Sequence, residues 1–222
     1  RFSTPEEGVN NAIFPVGANF AELIEPTDPA GPMARFINHR GEGLYHFTLV
    51  VDDVDKETHS LRQKGVQVME AAALGKQRRA WLHPHFTLGL VIELVDRDPL
   101  AERGLPNTPR QGLIAKISHI HHIVKDLDKT VKMYETLWGL KPHQRHRYPR
   151  EGFQNAIIRI GANYIGILSP LKEENPLSKF LERRGDGLRS VCFTVDNMDK
   201  AIAALRAKGV EVVVNEPTGH TP

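Results

Sequence analysis

The sequence predicts an α+β protein built from paired βαβββ modules, with the arrangement duplicated in tandem. Two observations predict this fold class. The chain of 222 residues repeats itself over much of its length. Within each copy, a strand-like apolar run is followed by an amphipathic stretch and then by further β-rich runs. A single βαβββ module leaves one face of its sheet uncovered, so we expect two modules to pack together and bury that face.

The repeat keeps one constant register along the chain. Gly17 and Gly161, each within a Gly-Ala-Asn triplet, lie 144 positions apart. At this offset residues 1–78 align with residues 145–222 without a gap, and roughly a third of the aligned positions are identical. The chain therefore holds about one and a half copies of a single unit.

Two segments have the pattern of a strand followed by a helix. Residues 44–68 and 117–142 each open with an apolar run and continue through an Asp that can cap a helix. Gly65 and Gly139 stand where the end of a helix favours a left-handed residue. Between cap and glycine, the i, i+4, i+7 spacing of a buried helical stripe occurs at Val54, Thr58 and Leu61, and again at Leu127, Val131 and Tyr134.

Further β-rich runs complete each module. They read VQVME, RAWLHPHFTL and LVIELV after the first helix, and NAIIRIG and YIGILS after the second. Residues 96–112 contain three prolines and several charges, which is typical of a linker. We therefore predict a first domain at 1–97 that lacks the start of its first module, a linker at 98–116, and a second domain at 117–222 that lacks the end of its last module.

The composition excludes several classes of partner. A formal net charge of +2 is too small to indicate nucleic acid or an anionic membrane. No apolar run approaches the roughly 20 residues of a membrane helix, and the opening RFSTPEEG is too polar for a signal peptide. Cys192 is the only cysteine, so no intrachain disulfide can form, and we expect a reducing compartment such as the cytoplasm.

Two strands carry an acid where an apolar residue is expected. Glu22 in FAELIEP and Glu93 in LVIELVD interrupt apolar runs, and a buried ionised carboxylate must be paired or metal-bound. Strand alternation places His46, in LYHFTLVV, on one sheet face with Thr48 and Val50. Two acids and one imidazole from different strands can share a divalent ion. Each residue alone also suits an ordinary exposed strand, so both interpretations stay open on these residues.

Three longer phrases carry a family resemblance: ELIEPTDPAGPMARFINHRGEGLYHFTLVVDDV, RAWLHPHFTLGLVIELV and KISHIHHIVKDLDKTVKMYETLWGL. Through them the whole chain apart from the linker resembles the vicinal oxygen chelate superfamily, which contains glyoxalase I, methylmalonyl-CoA epimerase, extradiol dioxygenases and bleomycin-resistance proteins. The likeness is closest to methylmalonyl-CoA epimerase. It implies a glyoxalase-like cup of curved mixed sheets, in which each module gives one metal ligand from its first strand and one from its last.

The resemblance implies specific site residues. Glu22, His46 and Glu93 match three of the four ligands of a divalent ion, although an amide often stands at the position of Glu22 in the epimerases. The fourth ligand is expected on a strand preceding residue 1. Glu6 and Glu93 are the expected catalytic residues, with Glu7 displaced from Glu6 by one position. The resemblance does not distinguish among Co, Zn, Mn, Ni and Fe.

The second copy departs from this ligand pattern. Its matching positions are His119, Gly166 and Ser190, and the last acid would lie beyond residue 222. Because glycine and serine cannot replace those ligands, we expect the second copy to be metal-free. The basic cluster KQRR at 76–79 could contact substrate phosphates, although a solvated turn is the preferred interpretation.

The implied activity is that of an epimerase or isomerase that abstracts a proton next to the carbonyl of an acyl-CoA or another carbonyl compound. One alternative pairs module 117–170 with module 44–97, which would join His119, His46 and Glu93 in a set resembling that of extradiol dioxygenases. Glyoxalase activity and a non-catalytic ligand-binding or resistance function also stay open. Incomplete modules would expose sheet edges, so a homodimer is a further expectation.

Overall fold

The structure is a computed structural model that describes residues 2–71, 73, 75–97 and 113–213. Within these residues the strands form sheets of three, five and four strands, accompanied by short helices. The predicted α+β class is confirmed. Most of the predicted linker lies outside the described residues.

The first sheet comes from the start of the chain. Strands β1 (Phe2–Thr4), β2 (Val9–Val16) and β3 (Asn19–Pro26) are antiparallel and lie in sequence order. A single 3-10 turn at Pro5–Glu7 joins β1 to β2, and helix α1 (Pro32–Arg40) follows β3. This 3-10 turn decides which of two adjacent acids faces the candidate site.

The second sheet is a complete βαβββ module. It consists of β4 (His46–Val50), α2 (Val54–Gln63), β5 (Val68–Glu70), β6 (Arg79–Leu82) and β7 (Val91–Val95). The strand order is β4-β7-β6-β5, with β4 parallel to β7 and the other neighbours antiparallel. The first and last strands of the module are therefore adjacent, as the predicted ligand positions require.

The third sheet repeats this module and extends it. Its elements are β8 (Ile114–Ile123), α3 (Leu127–Trp138), β9 (Pro142–Tyr148), β10 (Phe153–Ile160) and β11 (Asn163–Pro170), and β8 is parallel to β11. Strand β8 begins inside the predicted linker.

A fifth strand joins the third sheet after the module ends. Helix α4 (Pro176–Arg184) leads to β12 (Gly187–Val195), which pairs antiparallel with β8, and helix α5 (Met198–Ala207) follows. The repeat is visible in these bounds, because β10, β11, α4 and α5 begin and end 144 positions after β2, β3, α1 and α2.

The two complete modules share one hydrophobic core. The predicted helical stripes are confirmed, since Val54, Thr58 and Leu61 of α2 and Leu127, Val131 and Tyr134 of α3 are all buried. Residues of both modules, such as Leu82 and Ile158, belong to a single buried cluster. Replacing one buried leucine of this core by alanine should lower the free energy of unfolding by about 2–5 kcal/mol. This core fixes the backs of both sheets, so their opposite faces are available for sites.

His122 joins the two modules through a buried polar contact. Its side chain is fully buried and faces Tyr134, with ring centres 6.3 Å apart. The Nε2–H of His122 donates to the carbonyl oxygen of Leu88 at 2.9 Å, which ties β8 to the turn before β7. Burial lowers the pKa of His122 to about 4, despite the opposing effect of this hydrogen bond.

The stability of the protein should depend on pH through His122. Its folded pKa lies below the ordinary value of 6.5, so the unfolded chain takes up the proton first and stability falls as the pH drops from 6.5 towards 4. The pKa shift of His122 corresponds to a loss of folding free energy on the order of 3 kcal/mol. Urea unfolding at several pH values should show that the free energy of unfolding falls less between pH 6.5 and pH 4 for His122→Gln than for the wild type. Equal losses in the two proteins would contradict the role given to His122.

Candidate active site

A cavity of about 40 Å³ lies between the first and second sheets. We call it the Glu93 pocket. Residues of both sheets and of the 3-10 turn line this pocket. Its charged and aromatic lining residues include Glu7, Glu22, His46, Arg79, Trp81 and Glu93. The three ligands expected from the sequence, Glu22, His46 and Glu93, thus line one pocket, although they are far apart in the chain.

Strand alternation aims Glu93 into the pocket. Its neighbours Ile92 and Leu94 are fully buried and belong to the shared core. Because successive strand residues point to opposite faces, the carboxylate between them faces the other side of the sheet. Thr48 on the parallel strand β4 and Trp81 on the antiparallel strand β6 are the register partners of Glu93.

Both carboxylate oxygens of Glu93 are held by donors. Thr48 Oγ1 donates to Oε2 at 2.7 Å, and Arg79 Nε donates to Oε1 at 2.7 Å. The side chains of Glu93 and Arg79 are only 9% and 10% exposed. Desolvation of such ions costs several kcal/mol each unless they are paired and hydrogen-bonded. Glu93 meets both conditions, so its position is strongly fixed.

Arg79 connects two carboxylates across the pocket. Besides Glu93, its Nη1 pairs with Oε1 of Glu7 at 2.5 Å. Burial acts to lower the pKa of Arg79, but the charges of Glu93 and Glu7 more than offset it and leave the pKa raised. The guanidinium carbon lies 5.8 Å from the centre of the Trp81 ring, within cation–π range. Arg79 is therefore a fixed cation.

His46 faces the same carboxylate. Its Nε2 lies 3.9 Å from Oε2 of Glu93, and its ring meets Trp81 edge to face with ring centres 4.8 Å apart. Burial lowers the pKa of His46 below its ordinary value, against the opposing charge of Glu93 and with a smaller contribution from Arg79 in the same direction. The ring is thus favoured in its neutral form, which has one nitrogen lone pair available to a metal.

The structure separates the two adjacent acids of the 3-10 turn. Both acids are exposed, but Glu6, the catalytic residue expected from the sequence, is absent from the pocket wall, whereas Glu7 lines the pocket and binds Arg79. Glu7 was the alternative displaced by one position. Arg79 was missed, because its cluster KQRR was interpreted as a solvated turn, and for Arg79 that interpretation is wrong. The available signal was alternation in RAWL, where buried Ala80 and Leu82 place Arg79 and Trp81 on the opposite face.

His119 lies in a different cavity. This second cavity, of about 360 Å³, is on the third sheet and is lined by His119, His121, His143 and Gly166 among others. We call it the His121 pocket. The dioxygenase-like grouping requires His119 to lie beside His46 and Glu93. The structure does not place it there, because His119 lines a different cavity.

Burial favours the neutral forms of His119, His121 and Cys192. Burial lowers the pKa of His121 to about 4, and the charges of His119 and Arg189 act in the same direction. Burial also lowers the pKa of His119 and raises that of the nearby Cys192 thiol.

The chain belongs to the glyoxalase/bleomycin resistance protein/dioxygenase superfamily, whose family model matches residues 1–81 and 118–221. This confirms the resemblance found in the sequence. No helix in the part of the chain that the structure describes is both long and apolar enough to cross a membrane.

Among similar proteins of known name are methylmalonyl-CoA epimerases. The human mitochondrial enzyme is 24% identical over 104 residues, covering 46% of this chain and 59% of the relative. The mitochondrial enzyme of cattle is 25% identical over 116 residues, covering 50% and 66%. This chain thus spans less than two thirds of the length of either relative. A solved methylmalonyl-CoA epimerase in complex with methylmalonyl-CoA and NH4+ is 29% identical, with a TM-score of 0.45, covering 50% of this chain and 80% of that one.

The Glu93 pocket offers suitable donors for the divalent ion that the family implies. Carboxylates and imidazole suit first-row metals. The 3.9 Å between His46 Nε2 and Glu93 Oε2 is within the roughly 4.2 Å that two metal bonds of about 2.1 Å can span. Glu22 shares the wall, but these three residues do not form a group whose ligand atoms all lie within 4.8 Å of one another. Glu22 would therefore move inward to complete the set.

A double-mutant cycle tests the buried ion pair. Arg79→Met leaves Glu93 buried without its cation and should destabilise the protein by about 3–5 kcal/mol. The double variant Arg79→Met/Glu93→Gln should cost clearly less than the sum of the single changes in chemical denaturation. The exposed pair Arg62–Glu70, joined at 3.0 Å with side chains 44% and 83% exposed, gives the control cycle and should couple by less than about 1 kcal/mol. Equal coupling in both cycles would show that burial does not strengthen the Arg79–Glu93 pair.

Proposed function

We propose that the Glu93 pocket is the active site of a metal-dependent epimerase or isomerase that removes a proton from the carbon next to a carbonyl. One observation carries this proposal: a buried carboxylate, an imidazole, a fixed guanidinium and two further carboxylates line one small cavity. Such a reaction needs a base for the proton and positive charge near the enolate oxygen. The pocket contains both kinds of group.

Glu7 is the base that we propose. It lies on the pocket wall, and Glu6 does not. Pairing with Arg79 holds the Glu7 carboxylate at a defined place, which is the requirement for a positioned base. In this proposal Glu7, and not Glu6 as expected from the sequence, is the catalytic base. Glu93 stays a catalytic residue and a metal ligand, as the sequence predicts.

Glu22, His46 and Glu93 are the residues that would hold the metal. When bound, a divalent ion supplies a Lewis acid that polarises the substrate carbonyl. Thr48 and Arg79 donate to Glu93 and so orient it, as outer partners of ligating carboxylates commonly do. Arg79 is thus a positioning residue for both Glu93 and Glu7.

The substrate class that we propose is an acyl-CoA thioester. Relatives in the family carry the name methylmalonyl-CoA epimerase, and a thioester carbonyl acidifies the neighbouring C–H, as the proposed chemistry requires. Methylmalonyl-CoA is therefore the first compound to test.

Exchange of the α-proton measures the proposed step directly. Incubation of methylmalonyl-CoA with the metal-loaded full chain in deuterium oxide should place deuterium at the α-carbon, as followed by proton NMR. Glu7→Gln should slow this exchange by about 10²–10⁴-fold because it removes the base.

Glu6→Gln is the matched control for that measurement, since it makes the same change one residue away, at a residue that does not line the pocket. It should leave the exchange rate within about twofold of the wild type. Loss of exchange in Glu6→Gln with normal exchange in Glu7→Gln would reverse the assignment. Absence of wild-type exchange with methylmalonyl-CoA and with other acyl-CoA thioesters would overturn the proposed substrate class.

A further inference from the structure

We propose that the second repeat holds a divalent metal site of its own, formed by His119, His121 and Cys192 at the edge of the His121 pocket. These residues do not follow the ligand pattern of the first repeat. The sequence alone led us to expect a metal-free second copy, because Gly166 and Ser190 replace two ligands. The structure shows that other side chains converge near those positions.

The three residues share one face of the third sheet. Cys192 on β12 is the register partner of His119 on β8, and Ser190 is the partner of His121. Because residues two apart on a strand point to the same side, His119 and His121 face Cys192 together. One ligand atom from each of the three lies within 4.8 Å of the other two, and this is the only such group of three among the residues that the structure describes.

The imidazole geometry suits a tetrahedral ion. The Nε2 atoms of His119 and His121 lie 3.2 Å apart. Two nitrogens bound tetrahedrally at 2.0–2.1 Å to zinc are separated by roughly 3.3 Å. The two rings therefore already stand at the spacing that a shared ion requires.

Hydroxyl groups orient both rings. Ser118 Oγ lies 3.0 Å from Nδ1 of His119, and Ser190 Oγ lies 2.9 Å from Nδ1 of His121. A metal-binding histidine usually uses its second nitrogen in such an outer hydrogen bond, which fixes the ring. These contacts leave the two Nε2 atoms facing each other. The sulfur of Cys192 lies 3.9 Å from Nδ1 of His121, the nitrogen that Ser190 contacts, so the Cys192 side chain would turn towards the Nε2 atoms to complete the site.

Gly166 makes room for His121. A Cβ atom at position 166 would lie 2.8 Å from Cδ2 and 3.3 Å from Nε2 of the His121 ring. In the repeat, Gly166 occupies the position of Glu22, Ser190 that of His46, and Cys192 that of Thr48. In the second copy a glycine thus replaces the acid, and the imidazole of His121 occupies the space that the missing side chain leaves.

The donor set indicates the class of metal. Two imidazoles and one thiolate suit Zn²⁺ and ions of similar preference such as Co²⁺. Binding would displace the proton of the Cys192 thiol to solvent. Three protein ligands leave a fourth position, as in catalytic zinc sites. Since His119 and His121 also line a cavity of about 360 Å³, that position can take water or a small oxygen-donor ligand from the cavity.

Cobalt(II) substitution tests the site specifically. The chain contains one cysteine, so a thiolate-to-cobalt charge-transfer band in the near ultraviolet can come only from Cys192. Titration of the reduced full chain with Co²⁺ should give this band, rising to a plateau that corresponds to one Co²⁺ bound per Cys192, and Zn²⁺ should remove it. Cys192→Ser should abolish the band. His119→Ala and His121→Ala should each weaken Co²⁺ binding by more than the about 10–100-fold lost when an outer-shell partner is removed.

His143→Gln provides the matched control, because His143 lines the same cavity but is not one of the three ligands. It should keep the band and the affinity. A second variant, Gly166→Ala, should weaken binding by displacing the His121 ring, while far-ultraviolet circular dichroism reports whether it folds. Absence of the band in the wild type, or wild-type affinity in both histidine variants, would overturn the proposal. Glu93→Gln should leave the band unchanged, so this test is independent of the proposed epimerase activity.

Discussion

The packing of the first and second sheets depends on one buried charge. Glu93 extends from a strand whose neighbouring side chains belong to the shared core, and its side chain is only 9% exposed on the pocket side of the sheet. Arg79 and Thr48 compensate this carboxylate through hydrogen bonds of 2.7 Å each. Arg79 in turn pairs with Glu7, which lies in the 3-10 turn between β1 and β2. One charged side chain thus explains why β6 carries a buried arginine and why the 3-10 turn stands against the second sheet.

The two repeats show how one scaffold can carry different chemistry. The elements recur at an offset of 144 residues, so three strand positions can be compared between the copies, and the first of them, Glu22 or Gly166, lines a cavity in each copy. In the first copy those positions contain Glu22, His46 and Thr48 around a buried carboxylate. In the second they contain Gly166, Ser190 and Cys192, and the imidazole of His121 fills the space left by the missing acid. Loss of the first ligand pattern therefore need not mean loss of metal binding.

Much of the fold could be predicted from the sequence. Helices α2 and α3 follow directly from buried stripes at the helical period, and the gap-free repeat correctly transfers elements from one copy to the other. Proximity of Glu22, His46 and Glu93 could also be predicted, although only with the family resemblance added to the strand pattern. Local patterns such as these are encoded by residues close in sequence.

The features that were missed depend on tertiary placement. The choice between Glu6 and Glu7 depends on a single 3-10 turn, and a shift of one residue reverses which acid faces the pocket. Arg79 lies in a basic run next to Arg78, whose ion pair with Asp55 is exposed, so the composition of the run does not show that Arg79 is buried. The grouping of His119, His121 and Cys192 depends on the pairing of β12 with β8, which contains register shifts. No periodicity in the sequence reports that register.

The most direct test of the central role of Glu93 is the position of a bound metal in the full chain. Crystals grown with Co²⁺ should give an anomalous difference peak in the Glu93 pocket, within about 2.1 Å of both His46 Nε2 and a Glu93 oxygen. Glu22 should have moved towards the peak, while Arg79 stays on the other Glu93 oxygen. A map with cobalt bound elsewhere on the chain and no peak beside Glu93 would contradict this account, and would leave the Arg79–Glu93 pair as a purely structural contact.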